Sequence, residues 1–202
     1  LLTVALSSSL CLTGLFPYVA FMVVDLHAAS NVDSAGYMSG YISSAFLFGR
    51  MLTSFFWGRV ADTYGRLPVL YFGCTTIVIM SIVFGLSVNI WMAIISRFLL
   101  GLGNPLAGLV KTLVSEVCGP THEKAGMALT TGAWSLGLVA GPAVGGLLSR
   151  PAAQYPDTFG ESSFLKTFPY ILPNLFTAAV ALLGMVLIYF NLSETLHKKA
   201  SR

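Results

Sequence analysis

The chain has 202 residues, 55% of them hydrophobic and only 9% charged, with a formal net charge of +3. Average soluble domains carry about 25% charged residues, so a water-soluble domain is excluded, and so small a net charge gives no reason to expect a nucleic-acid partner. A helix needs roughly 20 residues to cross a hydrocarbon core of ~30 Å. Six such spans with their connections use the whole length, which predicts an all-α membrane protein with the bilayer as its surroundings.

The first span is predicted over 1–26. The chain begins Leu1-Leu2-Thr3, so residue 1 reads as the inside of a helix rather than a signal peptide, with further chain expected before it. Pro17 falls within this span, a position membrane helices tolerate when neighbours satisfy the freed carbonyls. Asp25 lies near its outer end, with His27 and Asp33 after it. Oxygen and imidazole donors suit zinc, but one aspartate and one histidine do not close a site, so no metal site is expected. The bland reading is a solvated cluster; Asp25 is kept as a candidate proton-carrying or substrate-facing group.

The second span, 34–57, carries Arg50 past its middle. It leads into Gly58-Arg59-Val60-Ala61-Asp62-Thr63-Tyr64-Gly65-Arg66, a connection dense in charge and glycine. Gly58 and Gly65 allow a tight turn. Asp62 within it can cap a helix N-terminus or pair with a guanidinium, a contact that forms in one conformation and breaks in another. The plain alternative is a solvated basic loop.

The third and fourth spans are predicted at 69–87 and 90–112. Arg97 lies about a third of the way into the fourth, and Gly103-Asn104-Pro105 interrupts its far half. An arginine at mid-membrane costs roughly 2.5–3.5 kcal/mol on insertion scales. Arg97 and Arg50 are therefore expected to face a polar cavity or a carboxylate. Glu116, at the inner end of this span, is within reach of Arg66 or Arg59.

The fifth span, 125–148, contains Gly137-Leu138-Val139-Ala140-Gly141-Pro142-Ala143-Val144-Gly145-Gly146. Gly137, Gly141 and Gly145 share one helical face and leave a groove for a neighbouring helix, while Pro142 is expected to kink the axis. After a plain outer connection at 149–168, the sixth span is predicted at 169–192. Cys11, Cys74 and Cys118 read as small buried side chains.

Basic residues set the orientation. The connections at 58–68 and 113–124 and the tail hold Arg59, Arg66, Lys124, Lys198, Lys199 and Arg202, against Arg150 and Lys166 on the opposite side. The bias puts the first set, and both chain ends, in the cytoplasm. The sequon Asn191-Leu192-Ser193 then lies at a cytoplasmic end and is a chance match.

The spacing Gly58…Asp62…Gly65-Arg66 resembles the hairpin motif of the major facilitator superfamily. Arg97-Phe98-Leu99-Leu100-Gly101 resembles its fourth-helix motif, and Gly137 to Gly146 the antiporter motif of its drug:proton antiporter branch. Within that branch the chain is similar to plant zinc-induced facilitator-like transporters from near residue 16 to 197. The matches include Phe16-Pro17, Asp25-x-His27, Gly49-Arg50-x-Leu52-Thr53-Ser54-x-Phe56-Trp57-Gly58, Phe168-Pro169-Tyr170-x-Leu172-Pro173 and Glu194-Thr195-Leu196-His197. Two positions depart: Leu67 stands where a second basic residue is usual, and Gly103-Asn104-Pro105 where a less constrained stretch is expected.

The resemblance implies the N-terminal six-helix half of a two-half antiporter, completed by a C-terminal six-helix half or a second copy. It implies exchange of protons for metal–chelator complexes, cations or organic solutes across a vacuolar or plasma membrane, driven by the proton gradient without a cofactor. Arg97 would serve proton coupling, and Glu116 a charge relay with the hairpin. The expected arrangement has Asp25 and Arg97 lining the cavity, the glycine face of the fifth span sealing against the other half, and residues 58–66 latching the inner gate. The alternative is a truncated or half-size product that transports nothing without a partner half. A channel would need a spare re-entrant segment, which the chain lacks. An intramembrane enzyme would need a nucleophile–base pair or paired aspartates within spans, whereas His27, His122 and His197 fall at span ends or in loops.

Overall fold

The computed structural model describes residues 1–30, 33–159 and 162–192. The Glu194-Thr195-Leu196-His197 match, Ser193 of the sequon and the basic tail lie outside the described residues. The described residues fold as α1 (Leu2–Thr13), α2 (Val19–Asp25), α3 (Gly36–Tyr64), α4 (Arg66–Gly85), α5 (Ile90–Leu102), α6 (Leu106–Leu148), three short helices α7 (Pro151–Gln154), α8 (Pro156–Phe159) and α9 (Ser163–Thr167), and α10 (Ile171–Asn191).

Two expected spans are broken helices. Pro17 has no N–H to give the Thr13 carbonyl, which accepts from Phe16 at 3.1 Å instead, and α1 ends at Gly14 before α2 restarts. Pro105 likewise separates α5 from α6, and the Asn104 side chain caps the new start by accepting from the Leu106 N–H at 3.3 Å. The connections shrink correspondingly. α3 continues to Tyr64, so Gly58 and Asp62 are helical, and the turn is made at Gly65 with φ 108°. The connection expected at 113–124 reduces to a single reversal at Gly119 (φ 64°, ψ 176°) within α6. Pro142 lies inside α6 with no departure from helical dihedrals there.

Arg66–Gly85, the run Ile90–Leu148 and Ile171–Asn191 are long and apolar enough to cross a membrane. The 59-residue run from Ile90 is too long for one crossing and folds back at Gly119, giving two columns. The α1–α2 pair and α3 complete six. α1 packs on α6 and α10, α3 on α5, and α4 on α10 and α5. Buried side chains gather around Val4, Phe46, Leu70, Ile77, Leu100 and Leu113, and around Tyr18, Met22, Ile42, Phe84 and Tyr170. Lipid tails are as apolar as leucine, so close backbone approach has to supply much of the cohesion. At the α3–α5 crossing a Cβ on Gly101 would press into the Phe46 carbonyl and lie 3.0 Å from the Arg50 nitrogen.

Candidate functional site

The hairpin residues converge on Arg66, the first residue of α4. Its Nη1 lies 2.8 Å from Asp62 Oδ1 in the last turn of α3, and its Nη2 lies 3.1 Å from Glu116 Oε1 on α6. Arg66 thus joins three helices at one end of the bundle. Asp62 sits at the negative end of α3, not at the start of α4, so it pairs with a guanidinium and caps no helix. Arg59 takes a different partner, lying 4.4 Å over the Phe55 ring. Exposure ranks the two pairs: the Asp62 side chain is 65% exposed and Glu116 19%. Removing the cation leaves the Glu116 carboxylate poorly solvated, while removing Asp62 leaves the buried Arg66 still paired with Glu116. Arg66→Gln is expected to destabilise the purified protein by on the order of 1–3 kcal/mol, against a few tenths for Asp62→Asn. Thermal unfolding of the two variants side by side checks this, and equal shifts would refute the ranking.

Arg97 is 2% exposed and faces a cavity lined from α1, α6 and α10, with Phe84 of α4 beside it. The last carbonyls of a helix lack intrahelical partners, and that of Cys11, near the end of α1, accepts from Arg97 Nη1 at 2.8 Å. The break that Pro17 enforces therefore supplies the ligand for the buried cation. The guanidinium also lies 3.9 Å over the Phe84 ring, and its Nε has no partner. Tyr18, Asn174 and Thr177 line the adjoining cavity of about 10 Å³, the room of one water. Asn174 Nδ2 donates to the Tyr18 hydroxyl at 3.1 Å. Of the two surroundings expected for Arg97, the structure supplies the polar cavity; no carboxylate lines it.

Asp25, the last residue of α2, lies apart from Arg97 at the opposite end of the bundle from the hairpin. Arg150 grips it with Nη2 at 2.5 Å and Nε at 3.2 Å, and the Tyr170 hydroxyl donates to the same carboxylate. Arg150 adopts a left-handed backbone (φ 48°), a conformation that costs a non-glycine residue roughly 1–2 kcal/mol. Its amide donates to the Pro169 carbonyl at 2.8 Å, which helps hold that geometry. Partial burial works against the Arg150 charge, but its hydrogen bonds to Asp25 and Tyr170 outweigh it and hold the guanidinium above its ordinary range. The Tyr170 ring stacks on Tyr18 at 5.2 Å, which links this rim to the Arg97 cavity. Sequence reading missed Arg150 and Tyr170, because a loop arginine and a tyrosine 125 and 145 residues from Asp25 carry no local signal. His27 makes no part of the rim's hydrogen bonds, and among the described residues no three His, Cys, Asp or Glu side chains gather as metal ligands.

The glycine face of the fifth span is already occupied within this half. A Cβ on Gly145 would collide with the Gly14 carbonyl, one on Gly141 with Thr13 Oγ1, and one on Gly137 with Ser9 Oγ. The seam is thus between α6 and α1, and the expected seal of these glycines against another half is corrected. Gly146 points elsewhere, with only Pro17 Cβ near, at 3.7 Å.

Beside that seam a cavity of about 230 Å³ opens between α1 and the two segments of α6, lined by Ala5, Ser8, Lys111, Thr130, Thr131 and Trp134 among others. Ser8 is buried and its hydroxyl has no partner. No acidic side chain lines the cavity, and Lys111 makes no ion pair among the described residues. Sequence reading passed over Lys111 because a lysine one residue from a predicted span end reads as snorkelling. Arg50 lines a separate pocket between α3 and the start of α6.

The comparisons with known proteins agree with this architecture. The family model described as Major Facilitator Superfamily matches residues 1–202. Protein ZINC INDUCED FACILITATOR 1 of Arabidopsis thaliana is 42% identical over 96% of this chain, and Protein ZINC INDUCED FACILITATOR-LIKE 1 of the same plant is 39% identical over 96%. A major facilitator superfamily multidrug transporter, mfsB of Aspergillus fumigatus, is 34% identical over 94%. The chain spans 40% of the length of each of the two plant relatives and 32% of the fungal one. Among solved structures, the human organic anion transporter MFSD10 (TETRAN) superimposes with a TM-score of 0.72 at 20% identity, covering 96% of this chain and 46% of that one.

Proposed function

This chain belongs to the major facilitator superfamily, and from that premise we propose that it works as one six-helix half of a proton-coupled antiporter of small solutes. The observation that carries the reading is Lys111, a cation with no ion pair among the described residues, facing a cavity in the membrane-spanning part of the bundle. Ionisable residues at such depth are costly and mark solute or ion pathways. In transporters built of two repeats, the solute site lies between the repeats and the halves rock about it. A cavity walled only by α1 and α6 fits that scheme with a second half closing the open side. That half would be a further six-helix unit of the same polypeptide or a second copy. The outward apolar residues of α3, among them Tyr37, Tyr41, Met51 and Phe55, fit such a contact.

In this scheme the Asp62–Arg66–Glu116 cluster latches the cytoplasmic end and the Asp25–Arg150–Tyr170 cluster the outer end, with both chain ends inside. Arg97 biases the proton step from within the half, and Arg50 lies on a second polar pocket. Metal–chelate, cationic and organic solutes are the proposed substrates, and the vacuolar or plasma membrane is the proposed site. No cofactor is required, because the proton gradient supplies the energy.

The test is proton flux in proteoliposomes holding the protein with its second half and a pH-sensitive dye inside. A zinc–aminocarboxylate chelate and a fluorescent organic anion serve as trial solutes. Solute-dependent proton movement is expected, with Lys111→Gln reducing it at least about tenfold, the effect of losing one charge-assisted contact. Solute-dependent proton flux of the same size in Lys111→Gln would remove Lys111 from the pathway, and absence of proton movement with any solute would overturn antiport.

A further inference from the structure

The pocket around Arg50 is not accounted for by alternating access about Lys111. It encloses about 230 Å³ between α3 and the start of α6, and its lining includes Arg50, Asn104, Thr53, Trp57, Pro105 and Arg66. Arg50 stands halfway along the 29-residue α3 and makes no hydrogen bond or ion pair among the described residues. Asn104 is fully buried in the break between α5 and α6. Its amide orientation is determined by chemistry: Oδ1 must accept from the Leu106 N–H, which leaves Nδ2 as a donor with no partner. A buried donor left unmet costs about 1–3 kcal/mol.

The acceptors nearby are spent. The Leu102 carbonyl takes both Thr53 Oγ1 at 2.9 Å and Trp57 Nε1 at 2.6 Å. No aspartate or glutamate lines the pocket. The interrupted helix adds to the same sign, because the positive end of the α6 dipole begins at Pro105–Leu106 against this pocket. A guanidinium, an amide N–H₂ and a helix N-terminus, with no carboxylate among them, select an oxyanion.

We propose that Arg50, Asn104 and the start of α6 form a binding site for a small oxyanion, a carboxylate or inorganic phosphate, separate from the Lys111 cavity. Arg50 would take the anion in a two-pronged contact, and Asn104 Nδ2 would orient it. Gly103-Asn104-Pro105, where a less constrained stretch is expected, then has a chemical purpose: the break presents both the amide and the helix end. The inference goes beyond transport and does not need it.

The experiment titrates the full chain, purified in detergent micelles, with citrate and separately with inorganic phosphate, reading the heat of binding. Saturable binding of at least one anion is expected. Arg50→Gln should weaken it about tenfold or more. Asn104→Asp retains the acceptor that caps Leu106 but replaces the donor with a charge, and should abolish it while the protein still elutes as a single species. Binding of both anions unchanged in these two variants would overturn the proposal, as would no saturable binding of either. Loss of binding in Lys111→Gln with retention in Arg50→Gln would also overturn it, by placing the anion in the other cavity. Because the readout is binding, failure of coupled flux and failure of this site are told apart.

Discussion

Arg97→Ala is expected to reduce solute-dependent proton flux to background while the protein still inserts and purifies as a single species. The guanidinium holds the Cys11 carbonyl at 2.8 Å and lies over Phe84, at the junction of the broken α1–α2 column with α4 and α10. Its removal leaves that carbonyl without a donor and opens space where the side chain stood. The loss of a hydrogen bond made by a charged group is worth about 1.5–3 kcal/mol, enough to redistribute two conformations that differ by a few kcal/mol. Arg97 acts by its grip on the Cys11 carbonyl and its place over the Phe84 ring. Arg97→Lys retains the charge but not the planar fork and is expected to recover only part of the flux. Uptake that persists in Arg97→Ala with its proton dependence intact would sink this assignment.

Gly145→Ala is expected to be far more damaging than Gly146→Ala, although the two residues are neighbours in the same motif. A methyl group on Gly145 meets the Gly14 carbonyl, which is backbone and cannot rotate away. A methyl on Gly146 has only Pro17 Cβ at 3.7 Å, an ordinary contact. Overpacking a tight site costs typically 1–3 kcal/mol, and here it also forces α6 off α1 at the turn between α1 and α2. Since Arg97 is anchored to Cys11 three residues before Gly14, the displacement reaches the buried cation. The unfolding midpoint should fall by the equivalent of on the order of 2 kcal/mol for Gly145→Ala and by a few tenths for Gly146→Ala. Similar shifts in the two variants would mean the seam is looser than its geometry implies.

The local parts of this picture are legible in the sequence. Asp62 and Arg66 stand four apart and Gly65 has φ 108°, so the core of the Asp62–Arg66–Glu116 cluster could be read from spacing. Pro17 and Pro105, read as tolerated kinks within spans, mark where α1 gives way to α2 and α5 to α6. The partner chosen for Arg66 on α6 was within the range foreseen. The partner of Asp25 was not, and neither was the destination of the glycine face.

Composition and hydropathy by themselves determined that the chain is a bundle of membrane helices, because every backbone polar group in lipid must be paired within its own helix. Glycine and charge spacing determined the family resemblance. Only the tertiary structure decided which helix each face meets: that Gly137, Gly141 and Gly145 pack on α1, that Arg150 and Tyr170 clasp Asp25, and that Lys111 and Arg50 line different cavities. The physical reason is that a leucine-rich face is equally content against lipid or protein. Hydropathy can therefore place a helix in the membrane but cannot name its neighbour; small residues and buried polar groups do that, and only once the whole bundle is assembled.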